Sequence, residues 1–315
     1  MVNRPRIIVF AYSEPGYACL NELIKAKANI VAIYTHIDDP DEEIWFPSVY
    51  DLAIKHDIPV FRPAKITEEM AKEIRAFKAD LIFSFYYRRL IPNDIILSPR
   101  LGSYNLHGAL LPKYRGQTCI NWTVVNGEKR TGATLHKMTA KADDGDIVAQ
   151  YGFDIAFEDT AIDVFHKVSA VGAKIIRENL LKIESGNFES TKQDDSKATK
   201  FPRRRPDDGL LDFNKDAISL YNLIRGVTHP FPGAFTYVNN QKLFIWWAVP
   251  VKNTSDIKTI ENYSVGEIVS INPLCVSTNK GLLELKSLQF AGQEEAQADL
   301  FADKLPIGTK FEHKL

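Results

Sequence analysis

Three side chains that could carry out acyl transfer lie in two short segments of the sequence. Asn105 and His107 stand two residues apart at the end of an apolar run, and Asp143 follows in Ala142–Gly145, which reads ADDG. On an extended backbone, a spacing of two places both side chains on the same face. An amide donor beside a base that titrates near neutrality is what acyl transfer to an amine requires. We therefore interpret Ser103–Gly116 as a catalytic loop that Asp143 completes.

His107 differs from the other histidines of the chain. It follows a predicted buried strand, where the backbone leaves the carboxyl end of a sheet and open α/β sheets bind their ligands. His136 lies within a strand pattern, which favours a packed side chain over a reactive one. The remaining histidines lie in helix patterns, a polar loop, a proline turn or the tail: His36, His56, His166, His229 and His313.

The composition is that of a globular protein with two domains. The chain has 315 residues, of which 45% are hydrophobic and 25% charged, and its net charge is −1. Without a basic excess, no global attraction to nucleic acid or anionic lipid is expected. Three widely spaced cysteines fit neither a disulfide framework nor a zinc site. No apolar run approaches the roughly 20 residues that cross a bilayer, and the N-terminus leaves no room for a signal peptide. The sequence therefore predicts a cytoplasmic protein.

The first part of the chain predicts an α/β domain with a doubly wound, mostly parallel sheet. Continuous apolar runs indicate strands covered on both faces. The predicted strands are Ile7–Tyr12, Ile30–Tyr34, Pro59–Phe61, Asp80–Phe85, Leu101–Asn105, Thr131–Met138 and Ile147–Ile155. The predicted helices are Tyr17–Lys27, Ser48–His56, Thr67–Phe77, Gln117–Val125 and Thr160–Glu184. The first turn lacks the glycines of a dinucleotide site and no phosphate-loop motif occurs, so neither NAD nor ATP is expected.

A change in composition marks a second domain. Asn187–Asp208 is polar and charged, and reads as an interdomain linker. We assign residues 1–200 to the catalytic domain and residues 201–315 to a C-terminal domain that begins with a helix at Asp216–Val227. Short strand patterns then predict a small barrel or curled sheet. They are Ala234–Val238, Lys242–Trp247, Gly266–Ile271, Leu274–Thr278 and Leu282–Leu288.

Two further segments follow predicted strands at the carboxyl end of the sheet. The acidic run Asp38–Glu43 comes after the second strand, where a solvated surface is the simpler interpretation. It still has a consequence, because an acidic patch at a ligand-binding edge would repel RNA. Tyr86–Arg89 follow the fourth strand and either pack at the sheet edge or line a ligand crevice.

Three dispersed motifs resemble the folate-dependent formyltransferase family. They match in order and spacing: NLHG at Asn105–Gly108, LLPKYRG at Leu110–Gly116 and ADDGDI at Ala142–Ile147. The resemblance continues elsewhere and covers nearly the whole chain: Ser84–Ile91, Arg203–Gly209 and Pro230–Lys242. Within the family the chain is most similar to the sugar N-formyltransferases, above all the domain that acts on UDP-4-amino-4-deoxy-L-arabinose. The resemblance implies a Rossmann-like domain followed by a small OB-like β-barrel.

The resemblance also implies a reaction. A formyl group would move from 10-formyltetrahydrofolate to the 4-amino group of UDP-4-amino-4-deoxy-L-arabinose or a dTDP-4-amino-4,6-dideoxy sugar, for surface polysaccharide or lipid A modification. His107 would act as general base, worth about 10²–10⁴-fold. Asn105 would donate to the oxygen of the tetrahedral intermediate, worth about 10²–10³-fold. Asp143 would orient the imidazole and favour its charged form.

Binding residues follow from the same resemblance. The pterin of the folate would lie against a set of backbone and loop positions: Arg89, Leu90, Ile91, Gln117, Thr139, Ala140, Lys141, Ala142 and Asp143. Arg115 and Arg225 are expected to contact the diphosphate, because arginine matches phosphate geometry. Phe231 is expected to stack on the nucleotide base. Gln117 stands where the arabinose enzyme's pattern has arginine, and no metal is implied.

Two alternatives to sugar formylation remain. Methionyl-tRNA formyltransferases would be expected to carry a basic loop where this chain has Asp38–Glu43, so tRNA is the less favoured acceptor. A catalytically silent binding module would keep the fold, but it would not need Asn105, His107 and Asp143 together. The expected partner is a small nucleotide sugar, with no nucleic acid and no membrane insertion. A homo-oligomer is compatible with the sequence.

Overall fold

The structure, a computed structural model, describes residues 4–40, 42–251 and 263–312. Two residues discussed above lie outside these ranges: Asp41, which belongs to the acidic run, and His313, near the end of the sequence. Within the described ranges, no helix combines the length and the apolar character needed to cross a membrane.

Helices and strands alternate along the first two thirds of the chain. In order, these elements are β1 (Arg6–Ala11), α1 (Ser13–Lys25), β2 (Asn29–Tyr34), α2 (Val49–Lys55), β3 (Val60–Phe61), α3 (Glu68–Ala76), β4 (Leu81–Phe85), α4 (Asn93–Ile96), β5 (Ser103–His107), β6 (Arg115–Gly116), α5 (Cys119–Val125), β7 (Arg130–Lys137), β8 (Ile147–Asp154), α6 (Ala161–Ser185) and β9 (Lys200–Phe201). The last third contains α7 (Ala217–Val227), β10 (Ala234–Val238), β11 (Gln241–Pro250), β12 (Ile268–Ile271), β13 (Leu274–Ser277), β14 (Leu282–Phe290) and β15 (Ala296–Gln297).

The chain folds into two compact units. The first comprises the residues up to 120 together with 130–154 and 163–202, and the second comprises 121–129, 155–162 and the residues from 203 onward. The change of unit after residue 202 falls close to the boundary that the composition predicts. The two short stretches that join the second unit lie inside the predicted first domain, where no change of composition marks them.

The first unit is built on a seven-stranded sheet with the order β3-β2-β1-β4-β5-β7-β8. β1 to β5 are parallel, while β7 and β8 run antiparallel to their neighbours. β4 is buried along its whole length and β1 after its first residue, as expected for strands covered on both faces. The predicted Rossmann-like, doubly wound and mostly parallel sheet is therefore confirmed.

The first helix begins earlier than the sequence predicts. α1 starts at Ser13 rather than Tyr17, because Pro15 stands in the first turn, where a missing N–H removes no helical hydrogen bond. Gly16 lies directly against β4, since a Cβ built on it would stand 2.9 Å from the carbonyl oxygen of Phe85. The turn-like sequence of this segment is thus the start of a helix pressed against the sheet.

The predicted linker has a defined structure and folds back onto the predicted catalytic loop. β9 pairs with β6 in a small parallel ladder, in which Gly116 lies opposite Phe201. The ring of Tyr114 stacks on that of Phe201 with centroids 4.8 Å apart. Within the first unit, this returning segment therefore buttresses the loop that follows β5.

The second unit is a small antiparallel β domain led by a capped helix. Asp216 caps α7 by accepting a hydrogen bond from the N–H of Ser219, at 2.9 Å. The strands run in the order β10-β11-β14-β13-β12, with β15 beside β14. The end of the chain bonds to both edges of this sheet, with N–H of Phe311 donating to Gly266 and N–H of Glu312 donating to Tyr237. The predicted β-barrel domain is confirmed.

Candidate active site

Adjacent strands bring a second histidine into contact with Asn105. β5 extends two residues further than predicted, so Asn105 lies within the strand and directly opposite His136 of β7. Nδ2 of Asn105 lies 3.2 Å from Nε2 of His136, and Nδ1 of His136 lies 2.9 Å from the carbonyl oxygen of Lys137. Because a carbonyl only accepts, Nδ1 of the neutral ring carries the hydrogen and Nε2 accepts from the amide. His136 therefore fixes which way the amide of Asn105 points.

Asp143 lies between two imidazoles. Its Oδ1 is 3.6 Å from Nδ1 of His107 and 3.5 Å from Nε2 of His136, while its Oδ2 accepts from the N–H of Gly116 at 2.9 Å. The residue has φ +61°, which aspartate tolerates better than most side chains. The structure thus brings Asn105, His107 and Asp143 together, with His136 as a fourth member that the sequence pattern assigned to packing.

Gln193 anchors the loop that carries Asp143. Its Nε2 donates to the carbonyl oxygens of Asp143 and Gly145, at 2.9 and 2.7 Å, and its Oε1 accepts from Arg115. A Cβ at Gly145 would stand 1.9 Å from the carbonyl oxygen of Lys137, so only glycine lets the loop return beside β7. Gln193 comes from the predicted linker, where polar composition gave no sign of a buried structural role.

The surroundings of His107 favour its charged form. Nε2 donates to the carbonyl oxygen of Tyr114 at 2.7 Å, so both ring nitrogens face acceptors when Asp143 is included. The pKa of His107 is raised to about 10: burial works against this shift, while the sulfur of Cys119 and the carboxylate of Asp143 produce it. A carboxylate is charged over the whole physiological range and a thiol is not, so we regard Asp143 as the dominant partner near neutral pH.

The pKa of Asp143 moves in the complementary direction. Burial tends to raise it, but the charge of His107 and the N–H of Gly116 lower the pKa of Asp143 well below its ordinary value. The pair therefore consists of an imidazolium beside a carboxylate. Before the ring could accept a proton from an amine, Nε2 would have to lose its proton to solvent, since neither the Tyr114 carbonyl nor the acidic Asp143 is basic enough to take it.

Cys119 is a further neighbour of His107. Its side chain is buried and hydrogen-bonds the imidazole. In the sequence it is one of three scattered cysteines, and nothing in the local pattern places its thiol beside a histidine twelve positions earlier.

Most residues predicted to hold the folate lie on two loops, one after β4 and one after β7, and Gln117 lies apart from them before α5. Ile91 is buried in an apolar cluster against which Met138 packs, so the two loops share this cluster, and Leu90 is 88% exposed. Arg89 donates to the carbonyl oxygen of Pro63 at 2.8 Å. The other predicted positions are solvent-facing loop residues, apart from the half-buried Asp143: Gln117, Thr139, Ala140, Lys141 and Ala142.

Arg115 is held by neighbours inside the first unit. Its guanidinium donates to Oε1 of Gln193 and to Oδ1 of Asp195, the latter at 2.7 Å. A phosphate would have to share or replace these contacts.

The two predicted ligand residues of the second unit differ in accessibility. Arg225 is only 1% exposed, with Nε donating to Asn222 and Nη1 to the carbonyl oxygen of Asp159. Burial lowers the pKa of its guanidinium. Its position does not support the predicted diphosphate contact, and it acts instead as a structural residue. Phe231 is half-buried in the turn after α7, where its N–H donates to Thr228.

Part of the acidic run is neutralised within the first unit. Asp38 accepts from the hydroxyl of Tyr12 at 2.8 Å, and Glu42 pairs with Arg88 at 2.5 Å. Over the described ranges, no cluster of three or more His, Cys, Asp or Glu side chains could hold a metal ion.

Two family profiles match the chain. The family described as Formyl transferase matches residues 6–180, and Formyl transferase, C-terminal domain, matches residues 204–306. A curated relative, the bifunctional polymyxin resistance protein ArnA of Wigglesworthia glossinidia brevipalpis, is 42% identical over 288 residues. That match covers 90% of this chain and 43% of ArnA, so the chain spans less than half the length of this relative.

Solved structures share the fold. The N-formyltransferase from Helicobacter canadensis, in complex with folinic acid and dTDP-3-aminofucose, matches with a TM-score of 0.67 at 20% identity, over 93% of this chain and 100% of that one. HypX from Aquifex aeolicus, in complex with tetrahydrofolic acid, matches with a TM-score of 0.63 at 18% identity, over 98% of this chain and 49% of that one.

Proposed function

Because the chain belongs to the formyl transferase family, we propose that it transfers a formyl group from 10-formyltetrahydrofolate to the amine of a nucleotide-linked sugar. The observation that carries the proposal is the cluster in which Asn105 contacts His136, and His136 and His107 both lie beside Asp143, so that β5 and its neighbouring segments hold an amide, an imidazole and a carboxylate together. The folate compounds bound by the related structures support the donor.

The cluster can serve each stage of such a transfer. The sugar amine forms a bond to the formyl carbon, the bond from that carbon to the folate nitrogen breaks, and the proton lost by the amine ends on the folate nitrogen. One N–H of the Asn105 amide points to His136, which leaves the second N–H for the oxyanion. Such a donor is worth about 10²–10³-fold. His107 relays the proton, worth about 10²–10⁴-fold.

His107 cannot act as a base in the arrangement just described without a change of partner. Its Nε2–H is engaged by the Tyr114 carbonyl, and its Nδ1 faces Asp143. We propose that Nε2 first loses its proton to solvent and that the amine then replaces the Tyr114 carbonyl there, while Asp143 keeps the ring oriented through Nδ1. Asp143 then stabilises the imidazolium that forms when the amine proton is taken up.

The two predicted folate loops offer both kinds of surface that a pterin needs. The exposed side chain of Leu90 supplies apolar area, and the backbone of residues 139–143 can supply hydrogen bonds to the edge of the ring. Ile91 and Met138 contribute to one apolar cluster between these loops.

A small acceptor is favoured over tRNA. Asp38 and Glu42 place carboxylates at the carboxyl edge of the sheet, and the chain has no net positive charge to offset them. Phosphate backbones bind mainly through clustered lysine and arginine. The likeness to ArnA makes UDP-4-amino-4-deoxy-L-arabinose the first acceptor to test, and the Helicobacter complex makes a dTDP-linked amino sugar the second.

The test is an acceptor panel. The protein is incubated with 10-formyltetrahydrofolate and UDP- or dTDP-linked amino sugars, and both tetrahydrofolate release and the formylated sugar are measured. We expect turnover with one class of sugar and none without an acceptor. Formylation of aminoacylated initiator tRNA, with no sugar turned over, would show that the proposed acceptor is wrong.

A further inference from the structure

A second polar site lies at the carboxyl end of β1 and β2. A cavity of about 170 Å³ opens there, and the side chains that matter for its chemistry are Tyr12, His36, Asp38, Phe46 and Ser48. A cavity of about 150 Å³ is enough to hold benzene. A single six-membered heteroaromatic ring therefore fits this space, and a phosphorylated sugar as a whole does not.

His36 offers a hydrogen-bond donor to this cavity. Its Nε2 accepts from the backbone N–H of Arg88 at 3.1 Å, so the hydrogen of the neutral ring is on Nδ1. Burial, followed by the charges of Arg89 and Arg88, lowers the pKa of His36 to about 4, which keeps the ring neutral at physiological pH. No described residue hydrogen-bonds Nδ1 of His36, and the residue is only 9% exposed.

Two more groups add donors and acceptors to the cavity. Asp38, at the rim, already accepts from the Tyr12 hydroxyl, but a carboxylate has room for further donors. The Ser48 oxygen accepts from the N–H of Asp51 at 3.1 Å, which leaves its own O–H to donate. His36, Asp38 and Ser48 thus present two donors and an acceptor in one cavity, which Arg62 also lines.

We propose that this cavity binds the uracil or thymine base of the nucleotide sugar, an inference that rests on the proposed function. Both bases carry two carbonyl oxygens flanking one N–H, a set that matches the two donors and the acceptor of His36, Ser48 and Asp38. Cytosine has an amino group in place of one carbonyl and no ring N–H between them, so it opposes donor to donor and acceptor to acceptor. The rings of Tyr12 and Phe46, 5.2 Å apart and edge to face, supply an aromatic wall.

The placement suits the length of a nucleotide sugar. His36 follows β2 and His107 ends β5, and the sheet order puts β1 and β4 between them. Three strand spacings of about 4.8 Å separate the two ends of the site, roughly 14 Å in all. Arg88 follows β4, between these two ends, and its guanidinium is paired with Glu42, a partner that a diphosphate would have to replace.

Calorimetric titration of the full chain with UDP, dTDP, CDP and inorganic pyrophosphate tests the proposal. We expect the better of UDP and dTDP to bind about tenfold or more tightly than CDP, since one well-placed hydrogen bond is worth about this factor. His36→Phe keeps a ring against Tyr87 but removes the donor, so it should abolish the preference and leave pyrophosphate binding unchanged. His36→Gln can accept from Arg88 and still donate, so it should retain most of the preference.

Two variants serve as comparisons. His56→Gln changes an exposed histidine after α2 and should leave every affinity unchanged. Phe231→Leu removes the aromatic ring that the sequence resemblance predicts to stack on the nucleotide base. If the base preference disappears in Phe231→Leu but persists in His36→Phe, the cavity is not the base site. Should His36→Phe fail to fold, Asp38→Asn, which exchanges the rim acceptor for an amide, is required to lose the preference instead.

The proposed function and the cavity fail in different ways. Formylation of a sugar nucleotide with an unchanged KM in His36→Phe overturns the cavity proposal and leaves the function intact. Binding of UDP or dTDP that depends on His36, in a protein that formylates no sugar, overturns the function and supports the base site. Equal affinity of the wild type for UDP, dTDP and CDP also contradicts the cavity proposal.

Discussion

His107 and His36 are buried histidines at the carboxyl edge of one sheet, 5% and 9% exposed, and their pKa values move in opposite directions. Burial lowers the pKa of both. Acceptors face the two nitrogens of His107, whereas a backbone N–H faces Nε2 of His36 and two guanidinium groups lie nearby. Burial therefore does not decide which of the two histidines is charged. The groups that face each ring nitrogen decide it, according to whether they accept or donate hydrogen bonds and which charge they carry.

The same contrast sets opposite contributions to stability. His107 binds its proton more tightly when folded, so the stability it adds is complete below about pH 6.5 and is lost as pH rises toward 10. His36, with a pKa lowered to about 4, binds its proton more tightly when unfolded. Its contribution is therefore present above about pH 6.5 and is lost as pH falls toward 4.

Removal of the charged histidine should have the largest effect. In His107→Ala both proton transfer and the imidazolium are lost, so kcat/KM should fall by about 10²–10⁴-fold. Tetrahydrofolate release measures the rate, and circular dichroism checks that the fold is kept. His166→Ala, which alters an exposed histidine paired with Glu14 on α1, is the matched control and should keep full activity. Near wild-type activity in His107→Ala would remove His107 from the mechanism.

Asp143→Asn should make the environment of His107 more like that of His36, because it removes the carboxylate beside Nδ1. Asparagine tolerates the positive φ at this position and can still accept from Gly116, so the loop is expected to remain folded. Without the carboxylate, the pKa of His107 should fall by about 1–3 units. In the wild type kcat/KM should rise with pH through the alkaline range, because the base must lose its proton, and in the variant this rise should occur at lower pH.

The pH–rate profile also tests the assignment itself. If the rising limb of kcat/KM stays in place in Asp143→Asn while the rate falls, Asp143 orients His107 without controlling its protonation. The expected loss in maximal rate is smaller than for His107→Ala, since the imidazole remains.

Local pattern accounts for much of the fold and for only part of this comparison. The strands and the cap of α3 by Thr67 were predictable, because apolar runs and capping residues act over a few positions. The motifs that resemble the family identified Asn105, His107 and Asp143. The partner that sets the tautomer of His36 is Arg88, 52 positions away, and no periodicity in the sequence indicates that contact.

Misplaced residues have the same physical cause. Arg225, at the end of an amphipathic helix, has the sequence context of a surface arginine. Its guanidinium is nevertheless buried and donates to a carbonyl oxygen of a loop distant in sequence. Gln193 lies in a polar stretch typical of linkers but holds the Asp143 loop through two backbone carbonyls. Side-chain to backbone bonds across the fold decide both positions, and composition does not encode them.

His136→Phe separates packing from positioning. The ring volume is kept, but the acceptor for the Asn105 amide is lost, so the amide is no longer held in one orientation. Misplacement of a catalytic group by about 1 Å can cost about 10²-fold, and we expect a loss in kcat of about tenfold to that limit with little change in KM for the folate. His136→Gln restores an acceptor and should recover part of the rate. Equal rates for the wild type, His136→Phe and His136→Gln would show that His136 only packs in the core and does not position Asn105.

Cys119→Ala should have the smallest effect, and it probes the second neighbour of His107. The Cys119 sulfur raises the pKa of His107 through a hydrogen bond as well as through charge, so its removal should move the rising limb of the pH–rate profile to lower pH, but by less than Asp143→Asn does. Cys275→Ala is the control, because it truncates another buried cysteine, in the second unit. It should lower thermal stability by a similar amount without moving the pH–rate profile. A shift in the neutral region of Cys119→Ala as large as that of Asp143→Asn would mean that the sulfur, and not the carboxylate, keeps His107 charged where His36 is neutral.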